Sequence, residues 1–478
     1  MVVLGYDHRH NSKSFATSAA KVYSSYGHHV RVFPRIVPTP FVPSAVQCVG
    51  GVGMAVMVTA SHNPKKDNGY KVYGGNGAQI GDKVAKEISE YIKREKNNYV
   101  DIKNTSDNIN IVEDAELWEM TRKWYVDNLG EFMDRFPRYL SLNMPRVVYT
   151  ALHGVGADYV DKVFESIFNN NSALLHVPEQ REPDADFPTV EFPNPEEGRS
   201  TLSLAMKLAD KEGVRYVFAN DPDADRFCVA EKCERECEGW RIFNGNEIAV
   251  LLADFISKEF EGEEKCAMLA SCVSSRFLKH FCENRGWRFE STLTGFKNLG
   301  NRGMELRGEG MRVLLAYEEA IGFQVGDWNF DKDGISSLIV FYALIRDLSG
   351  TLSTRLKDIY GREKCWPVQC NGYYFCKPAS RIKPILQAID GETVSVLKQR
   401  AKSFENENGV VTVEFEVKAF GGAWLMLRSS GTEPKLKYYS ELVSAEEKEG
   451  AEEALSEAVD ELIELMIEPV ANNLIKKK

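Results

Sequence analysis

Tyr216-Val217-Phe218-Ala219 runs straight into Asn220-Asp221-Pro222-Asp223-Ala224-Asp225-Arg226. Four apolar residues are followed by seven that carry three carboxylates and a guanidinium. A short apolar run ended by a polar loop reads as a buried strand of an α/β sheet. Ligand sites in such sheets lie beyond the carboxyl ends of the strands. The same transition recurs three times. Met54–Val58 and Thr59 lead into Ala60-Ser61-His62-Asn63-Pro64, and a run from Val313 leads into Tyr317-Glu318-Glu319-Ala320-Ile321-Gly322. A run from Trp424 leads into Arg428-Ser429-Ser430-Gly431-Thr432-Glu433-Pro434-Lys435. Four such loops, one per unit, are expected to face a single cleft.

Around these loops, β-branched runs alternate with helical patterns, which predicts α/β architecture. Residues 2–4 open a strand, 14–26 form a helix ended by Gly27, and 29–33 form a second strand. A short helix is expected over 41–48 and a longer one over 116–136, after a polar Asn/Asp-rich stretch at 97–110. A second unit opens at Arg146 with a helix over 157–168. A third opens near Gly245, with strands at 267–270 and 313–316 and a helix after Gly334. From about Leu352 the pattern becomes α+β. Ser444-Ala445-Glu446-Glu447 reads as a capping box opening the last helix. Leu455, Ala458, Val459, Leu462, Leu465 and Met466 would form its apolar face. The fold expected is three related α/β domains with mixed sheets plus a smaller C-terminal α+β domain around a central cleft. The boundaries fall at 1–140, 141–244, 245–351 and 352–478.

Composition narrows the function. The 478 residues carry a net charge of −11, with no block of Lys and Arg, which argues against a nucleic-acid partner. No apolar run approaches a membrane span, and the first residues lack a signal-peptide pattern. Ten irregularly spaced cysteines fit a reduced cytoplasmic protein better than a disulfide framework. Cys233 with Cys237, and Cys365 with Cys370 and Cys376, show neither a Cys-x-x-Cys nor a histidine pair. Free thiols are the expectation there.

Each loop has a chemical reading and a plainer one. Alternate residues of an extended segment point the same way, so Asp221, Asp223 and Asp225 can offer oxygens to one hard cation, Mg²⁺ above all. The plainer reading is an Asx-rich turn. A strand followed by Asp-x-Asp also opens the haloacid-dehalogenase phosphatases, but the third Asp and Arg226 fit that family poorly. Ser61 stands at a turn, and serine is a poor nucleophile until a base or a metal assists it. Phosphorylated, it would donate its phosphoryl group instead, with His62 and Lys71 the nearest candidates for proton transfer. Arg428, Ser430, Gly431 and Thr432 read as a phosphate cradle, against a solvated turn. Glu318 and Glu319 could accept bonds from sugar hydroxyls or be surface charges.

Taken together, Thr59-Ala60-Ser61-His62-Asn63-Pro64, Asp221-x-Asp-x-Asp-Arg226, Glu318-Glu319 and Arg428-x-Ser-Gly-Thr-Glu-Pro resemble the α-D-phosphohexomutases. Asp67-Asn-Gly-Tyr-Lys71, Val177-Pro-Glu-Gln180, Phe192-Pro-Asn-Pro-Glu-Glu-Gly198, Thr294-Gly-Phe-Lys297, Tyr317-Glu-Glu-Ala-Ile-Gly322 and Asp331-Lys-Asp-Gly334 are similar to the eukaryotic phosphoglucomutase branch that also acts as phosphopentomutase. The resemblance implies four domains and a phosphoserine at Ser61, with Mg²⁺ held by Asp221, Asp223, Asp225 and a phosphoserine oxygen. Arg226 would flank the phosphoryl group, and Lys71 and His62 would serve acid/base chemistry. Arg9, Lys297, Glu318, Glu319, Arg428, Ser430, Gly431, Thr432 and Lys435 would bind substrate. A phosphosugar would pass through a bisphosphosugar intermediate, with a sugar bisphosphate as activator. A bisphosphate synthase, or an inactive sugar-phosphate-binding protein, are the alternatives.

Two departures from the family pattern carry expectations. Ala320 stands where many hexomutases have a serine, which removes a hydroxyl contact and suits a pentose. The Gly5-x-Asp-x-Arg9 segment starts almost at Met1, where the family carries several tens of residues with a basic loop. The resemblance therefore implies a first domain short of a strand, a helix and that loop, with an unpaired sheet edge.

Overall fold

The computed structural model describes residues 1–95, 111–140, 144–233, 239–389, 401–407, 410–430 and 434–476. The polar stretch at 97–110, Cys237, Gly431 and Thr432 lie outside the described residues. The chain divides into two compact units, Met1–Ser274 with Arg285–Arg355, and Ser275–Asn284 with Leu356–Lys478.

Three sheets build the first unit. The first contains β1 (Val2–Tyr6), β2 (Val30–Val32), β3 (Met54–Val58), β4 (Tyr70–Gly74) and β5 (Ile111–Glu113), in the order β4-β3-β1-β2-β5. The second contains β6 (Val147–Thr150), β7 (Leu174–His176), β8 (Tyr216–Ala219), β9 (Cys228–Lys232) and β10 (Trp240–Ile242), in the order β10-β9-β8-β6-β7. The third contains β11 (Cys266–Ser271), β12 (Arg288–Thr292), β13 (Arg312–Glu318) and β14 (Gly322–Val325), in the order β12-β11-β13-β14.

One plan underlies all three sheets. A first strand is flanked by two parallel partners, and the later partner turns back into an antiparallel fourth strand: β3 into β4, β8 into β9, β13 into β14. That turn is where Ser61, the three aspartates and Glu318-Glu319 stand. The sequence shows no clear repeat, because the shared feature is strand order and not residue identity. β1, β3, β6, β8 and β11 are buried almost throughout, which is why their sequences read as continuous apolar runs.

Helices cover the sheets. The expected helices appear at Ser12–Ser25, Phe41–Cys48, Ala115–Met133, Gly156–Phe168 and Gly334–Arg346. Asp114 caps the third by accepting from Leu117 N, and Asp333 caps the last by accepting from Ile335 N and Ser336 N.

In the second unit, β15 (Trp366–Gln369), β16 (Gly372–Phe375), β17 (Ala401–Glu407), β18 (Val410–Val417), β19 (Gly421–Ser429), β20 (Lys435–Ser444) and β21 (Ile475–Lys476) form one antiparallel sheet. Its face packs on helix Ala451–Ile467 through Leu425, Leu427, Leu455, Val459 and Leu462. The expected capping box at Ser444 does not form. Ser444 ends β20, paired opposite Trp366, and its hydroxyl donates to the Glu446 carbonyl at 2.6 Å. The helix begins only after Gly450, which adopts φ +77°. Leu465, assigned to the apolar face, is 43% exposed, while Ile463 and Ile467 are buried.

Candidate functional site

Ser61 follows β3 in a left-handed conformation, φ +54°. For a residue with a Cβ this backbone is uncommon and must be held by its surroundings. Thr59 Oγ1 accepts from Ser61 N at 2.8 Å. The larger restraint is Arg9. Its Nη2 donates to the carbonyls of Ser61 (2.5 Å) and Asn63 (2.7 Å), and Nη1 to those of Pro64 (3.1 Å) and Asp67 (3.3 Å). Asp7, 1% exposed, fixes the base of that side chain, with Oδ2 3.4 Å from Arg9 Nε. Arg9 is thus a buried clamp on the loop, its terminal nitrogens on four of the loop's carbonyls.

The clamp leaves the Ser61 hydroxyl free to face the second sheet, where Oγ donates to Asp221 Oδ2 at 2.9 Å. Asp221, Asp223 and Asp225 are each 0% exposed and place one oxygen apiece within 4.8 Å of one another. Three buried carboxylates this close need compensating cations. Lys71 supplies one from β4: its Nζ lies 2.7 Å from Asp223 Oδ2 and 2.7 Å from Asp225 Oδ2. Lys332 adds a second, 3.3 Å from Asp225 Oδ2. The Thr39 hydroxyl donates to Asp223 Oδ2 at 2.5 Å, and Thr39 N to the Asp223 carbonyl at 2.9 Å.

These contacts set the charges. Burial, joined by the Asp223 and Asp225 carboxylates, pushes the Asp221 carboxyl well above the ordinary aspartate range. Burial works in the same direction on Asp223, but the Lys71 ammonium outweighs it and holds that carboxyl low. Burial also opposes the Lys71 charge, and Asp223 with Asp225 overcomes it, so Lys71 stays protonated. His62 is driven well below the usual imidazole value, first by burial and then by Arg226, and is neutral near pH 7.

A metal fits this donor set. The second oxygens, Asp223 Oδ1 and Asp225 Oδ1, are buried and have no hydrogen-bond partner among the described residues. Buried carboxylate oxygens left unpaired are costly, and hard-cation coordination is one way to satisfy them.

Arg226 ties the aspartate loop to the third sheet. Its backbone bridges to Gly322, and Phe227 N donates to the Ile321 carbonyl at 3.0 Å. Its N donates to Asp221 Oδ1 at 3.0 Å, and its Nη1 to Glu196 Oε2 at 3.1 Å. Gly334 closes the same joint. A Cβ there would lie 2.1 Å from the Arg226 carbonyl oxygen, so only glycine permits this approach.

The other expected residues divide. Glu318 Oε1 accepts from Gly295 N at 2.6 Å and remains partly exposed at the end of β13. Glu319 turns inward: Oε2 accepts from the Ser271 hydroxyl at 3.0 Å, and its N donates to Ser274 Oγ at 3.1 Å. Lys297 pairs with the Asp82 carboxylate. In the second unit, Arg428 Nη2 donates to the Tyr439 hydroxyl at 3.0 Å, and Ser430 N to the Lys435 carbonyl at 2.8 Å. Lys435 is 8% exposed, its Nζ 4.3 Å from the Tyr373 ring centre, so it braces the hairpin. Thr39 and Lys332 have no chemical signal of their own in the sequence; Lys332 stood only inside a stretch of resemblance.

Comparison with known proteins gives this geometry a family. The models for phosphoglucomutase/phosphomannomutase alpha/beta/alpha domains I, II and III match residues 1–99, 123–234 and 244–362. The chain belongs to that family, within the α-D-phosphohexomutase superfamily. A human relative named glucose 1,6-bisphosphate synthase is 36% identical over 517 aligned residues, covering 99% of this chain and 82% of that one. A human phosphopentomutase is 35% identical, covering 98% and 81%. A putative phosphomannomutase from Thermus thermophilus shares the fold at a TM-score of 0.72 and 20% identity, covering 97% of this chain and 90% of that one. The repeated sheet plan is therefore the family's own, carried by domains I to III.

Proposed function

We propose that this family member is a Mg²⁺-dependent phosphosugar mutase. It interconverts 1-phosphates with 5- or 6-phosphates of ribose, deoxyribose and glucose through a phosphoserine at Ser61. The observation that carries the reading is Ser61 itself, held in a left-handed turn with its hydroxyl 2.9 Å from a buried three-aspartate cluster. The human relative named phosphopentomutase supports the substrate class. Asp221, Asp223, Asp225 and a phosphoserine oxygen would hold the cation, which supplies charge neutralisation for phosphoryl transfer.

The chain's own groups suit the remaining steps. A sugar hydroxyl oxygen forms the new P–O bond as the bond to Ser61 Oγ breaks, and the hydroxyl proton must leave. His62 and Lys71 are the candidates for taking up and returning that proton. Glu318 would receive a sugar hydroxyl, and Arg428, Ser430, Gly431, Thr432 and Lys435 would bind the phosphate. Ala320 in place of a serine supports tolerance of a pentose. The four-domain division at 140, 244 and 351 remains our reading of the chain, as does a cytoplasmic setting. Among the described residues nine cysteines are free, and no helix is long and apolar enough to cross a membrane.

A second reading shares the phosphoserine. The synthase relative is as similar as the mutase relative, so release of a sugar bisphosphate as product is its signature. The deciding experiment incubates the protein with glucose 1,6-bisphosphate and reads Ser61 by intact mass. Turnover of ribose 1-phosphate and glucose 1-phosphate then follows in a coupled assay. A phosphorylated Ser61 and faster pentose turnover are expected, both lost in Ser61→Ala. Turnover that survives in Ser61→Ala sinks the mechanism; bisphosphate accumulating as product selects the synthase.

A further inference from the structure

Pro38-Thr39-Pro40 leads into helix Phe41–Cys48, and the Thr39 side chain is wholly buried. The turn is held from three directions. Val37 N donates to the Tyr6 carbonyl of β1 at 3.0 Å, and the Tyr159 hydroxyl, on helix Gly156–Phe168, donates to the Ile36 carbonyl at 2.5 Å. From beyond β14, Asn329 Nδ2 donates to the Pro40 carbonyl at 3.2 Å. The Phe41 ring is wedged between Tyr125 and Tyr159, its centre 4.8 Å and 4.9 Å from theirs. A residue before proline is biased to extended backbone, so Thr39 has little freedom of its own.

From this base Thr39 holds Asp223 twice. Its N donates to the Asp223 carbonyl at 2.9 Å, and its hydroxyl to Oδ2 at 2.5 Å. Lys71 Nζ donates to Thr39 Oγ1 at 3.5 Å, which leaves the hydroxyl proton for the carboxylate. The backbone bond is enough to dock the two loops. The hydroxyl bond adds a restraint on rotation, because Lys71 Nζ reaches the same Oδ2 at 2.7 Å.

Two donors thus occupy one oxygen of Asp223, and Oδ1 is left buried with no hydrogen-bond partner among the described residues. Asp225 repeats the division, with Lys71 and Lys332 on Oδ2 and Oδ1 bare. Each carboxylate is arranged to give a cation one oxygen. Groups that hydrogen-bond a ligating carboxylate orient it and tune its affinity. Lys71 serves two carboxylates and brings charge; Thr39 serves one and brings direction.

We propose that Thr39 is a positioning residue for the cation site. Its hydroxyl sets the rotation of the Asp223 carboxylate and keeps Oδ1 available to Mg²⁺. It acts through Asp223 and is not itself a ligand. The inference rests on the Mg²⁺ site of the proposed mutase.

Thr39→Val keeps the backbone N–H and the branched shape and removes the O–H donor; Thr39→Ser keeps the donor. Isothermal titration of the EDTA-stripped full chain with MgCl₂ compares them with wild type. Mg²⁺ should bind Thr39→Val about 10- to 100-fold more weakly, and Thr39→Ser nearly as tightly as wild type. In turnover of ribose 1-phosphate, Thr39→Val should lose kcat with KM little changed, and added Mg²⁺ should restore part of it. Thr39→Ala, which sets no methyl against the carboxylate, gives the same reading if Thr39→Val melts early. Equal Mg²⁺ affinity in wild type and the hydroxyl-free variants overturns the proposal, as does Thr39→Ser binding as weakly as Thr39→Val. Mg²⁺ binding in the expected order without phosphosugar turnover supports it and defeats the mutase reading. Full turnover with equal Mg²⁺ affinities does the reverse.

Discussion

Arg9 grips Ser61 by its carbonyl oxygen, 2.5 Å from Nη2, and leaves the Ser61 hydroxyl to Asp221. One guanidinium fixes four carbonyls of a single loop, which a lysine ammonium cannot reproduce. Arg9→Lys should therefore lower kcat by about 10²-fold through misplacement of Ser61, with KM for the sugar phosphate little changed. A direct phosphate ligand would instead raise KM. Steady-state kinetics on ribose 1-phosphate separates the two. Thermal unfolding should also show a loss of about 3 kcal/mol, because Asp7 is left buried beside a poorer partner.

Lys71 and Lys332 share Asp225 Oδ2, at 2.7 Å and 3.3 Å. Lys71 also holds Asp223, so Lys71→Met strips a cation from two buried carboxylates. It should cost about 3–5 kcal/mol in metal-free buffer. Lys332→Met, which loosens one longer contact, should cost less. Added Mg²⁺ should recover part of the Lys71→Met loss, read as a rise in melting temperature. Equal losses in the two variants would remove the case for Lys71 as the principal counter-ion.

Chelation gives the matching test of the aspartates. Wild-type protein should melt at a higher temperature with Mg²⁺ than with EDTA, since a ligand bound only by the native state stabilises it. Asp223→Asn should abolish that difference. Phosphoryl transfer should vanish in EDTA and return on adding Mg²⁺ in excess. A melting temperature indifferent to Mg²⁺ in the wild type would count against a bound cation.

His8 adds a pH dependence. Burial first, and then the neighbouring Arg9 charge, lower its imidazole to about 4 from an ordinary 6.5. The Asp184 backbone and carboxylate pull the other way without overcoming burial, and the ring packs edge-on to Phe187 at 5.4 Å. The folded value is the lower one, so the unfolded chain binds the proton first as the solution is acidified. Its contribution is complete above pH 6.5 and is lost as pH falls toward 4, by about 3 kcal/mol in all. His8→Gln should flatten the stability curve across that window in urea unfolding at stepped pH. An unchanged slope would show that His8 is not the group responsible.

The strands that carry the site were legible because they are buried on both faces. Met54–Val58, Tyr216–Ala219 and Arg312–Glu318 read as apolar runs, and the polar loops after them stand out by contrast. Asp221, Asp223 and Asp225 were legible as a cluster because a short loop forces neighbours in sequence to be neighbours in space. Thr39 and Lys332 were not. Each lies more than a hundred residues from the carboxylate it touches, and such pairs exist only once the sheets dock. The Arg9 clamp on four loop carbonyls was not legible either, since sequence marks a guanidinium but not whether it faces carbonyls or solvent. The Ser444 capping pattern failed for a related reason: strand pairing with β15 claimed that residue before a helix could.

Gly334 gives the most local prediction. Its N donates to the Ala224 carbonyl at 3.1 Å, and its missing Cβ leaves room for the Arg226 carbonyl and Asn220 Nδ2. A methyl group there would stand 2.1 Å and 2.5 Å from those atoms. The first is backbone, so it cannot swing aside; the aspartate loop must move as a whole. Displacing Arg226 also shifts the N–H that donates to Asp221 Oδ1. Gly334→Ala should thus destabilise by about 2–3 kcal/mol and reduce turnover by about 10²-fold, although residue 334 touches no substrate. Its Mg²⁺-dependent rise in melting temperature should shrink as well. Full turnover with lowered stability would show that the joint serves the fold alone and leaves the aspartates in place.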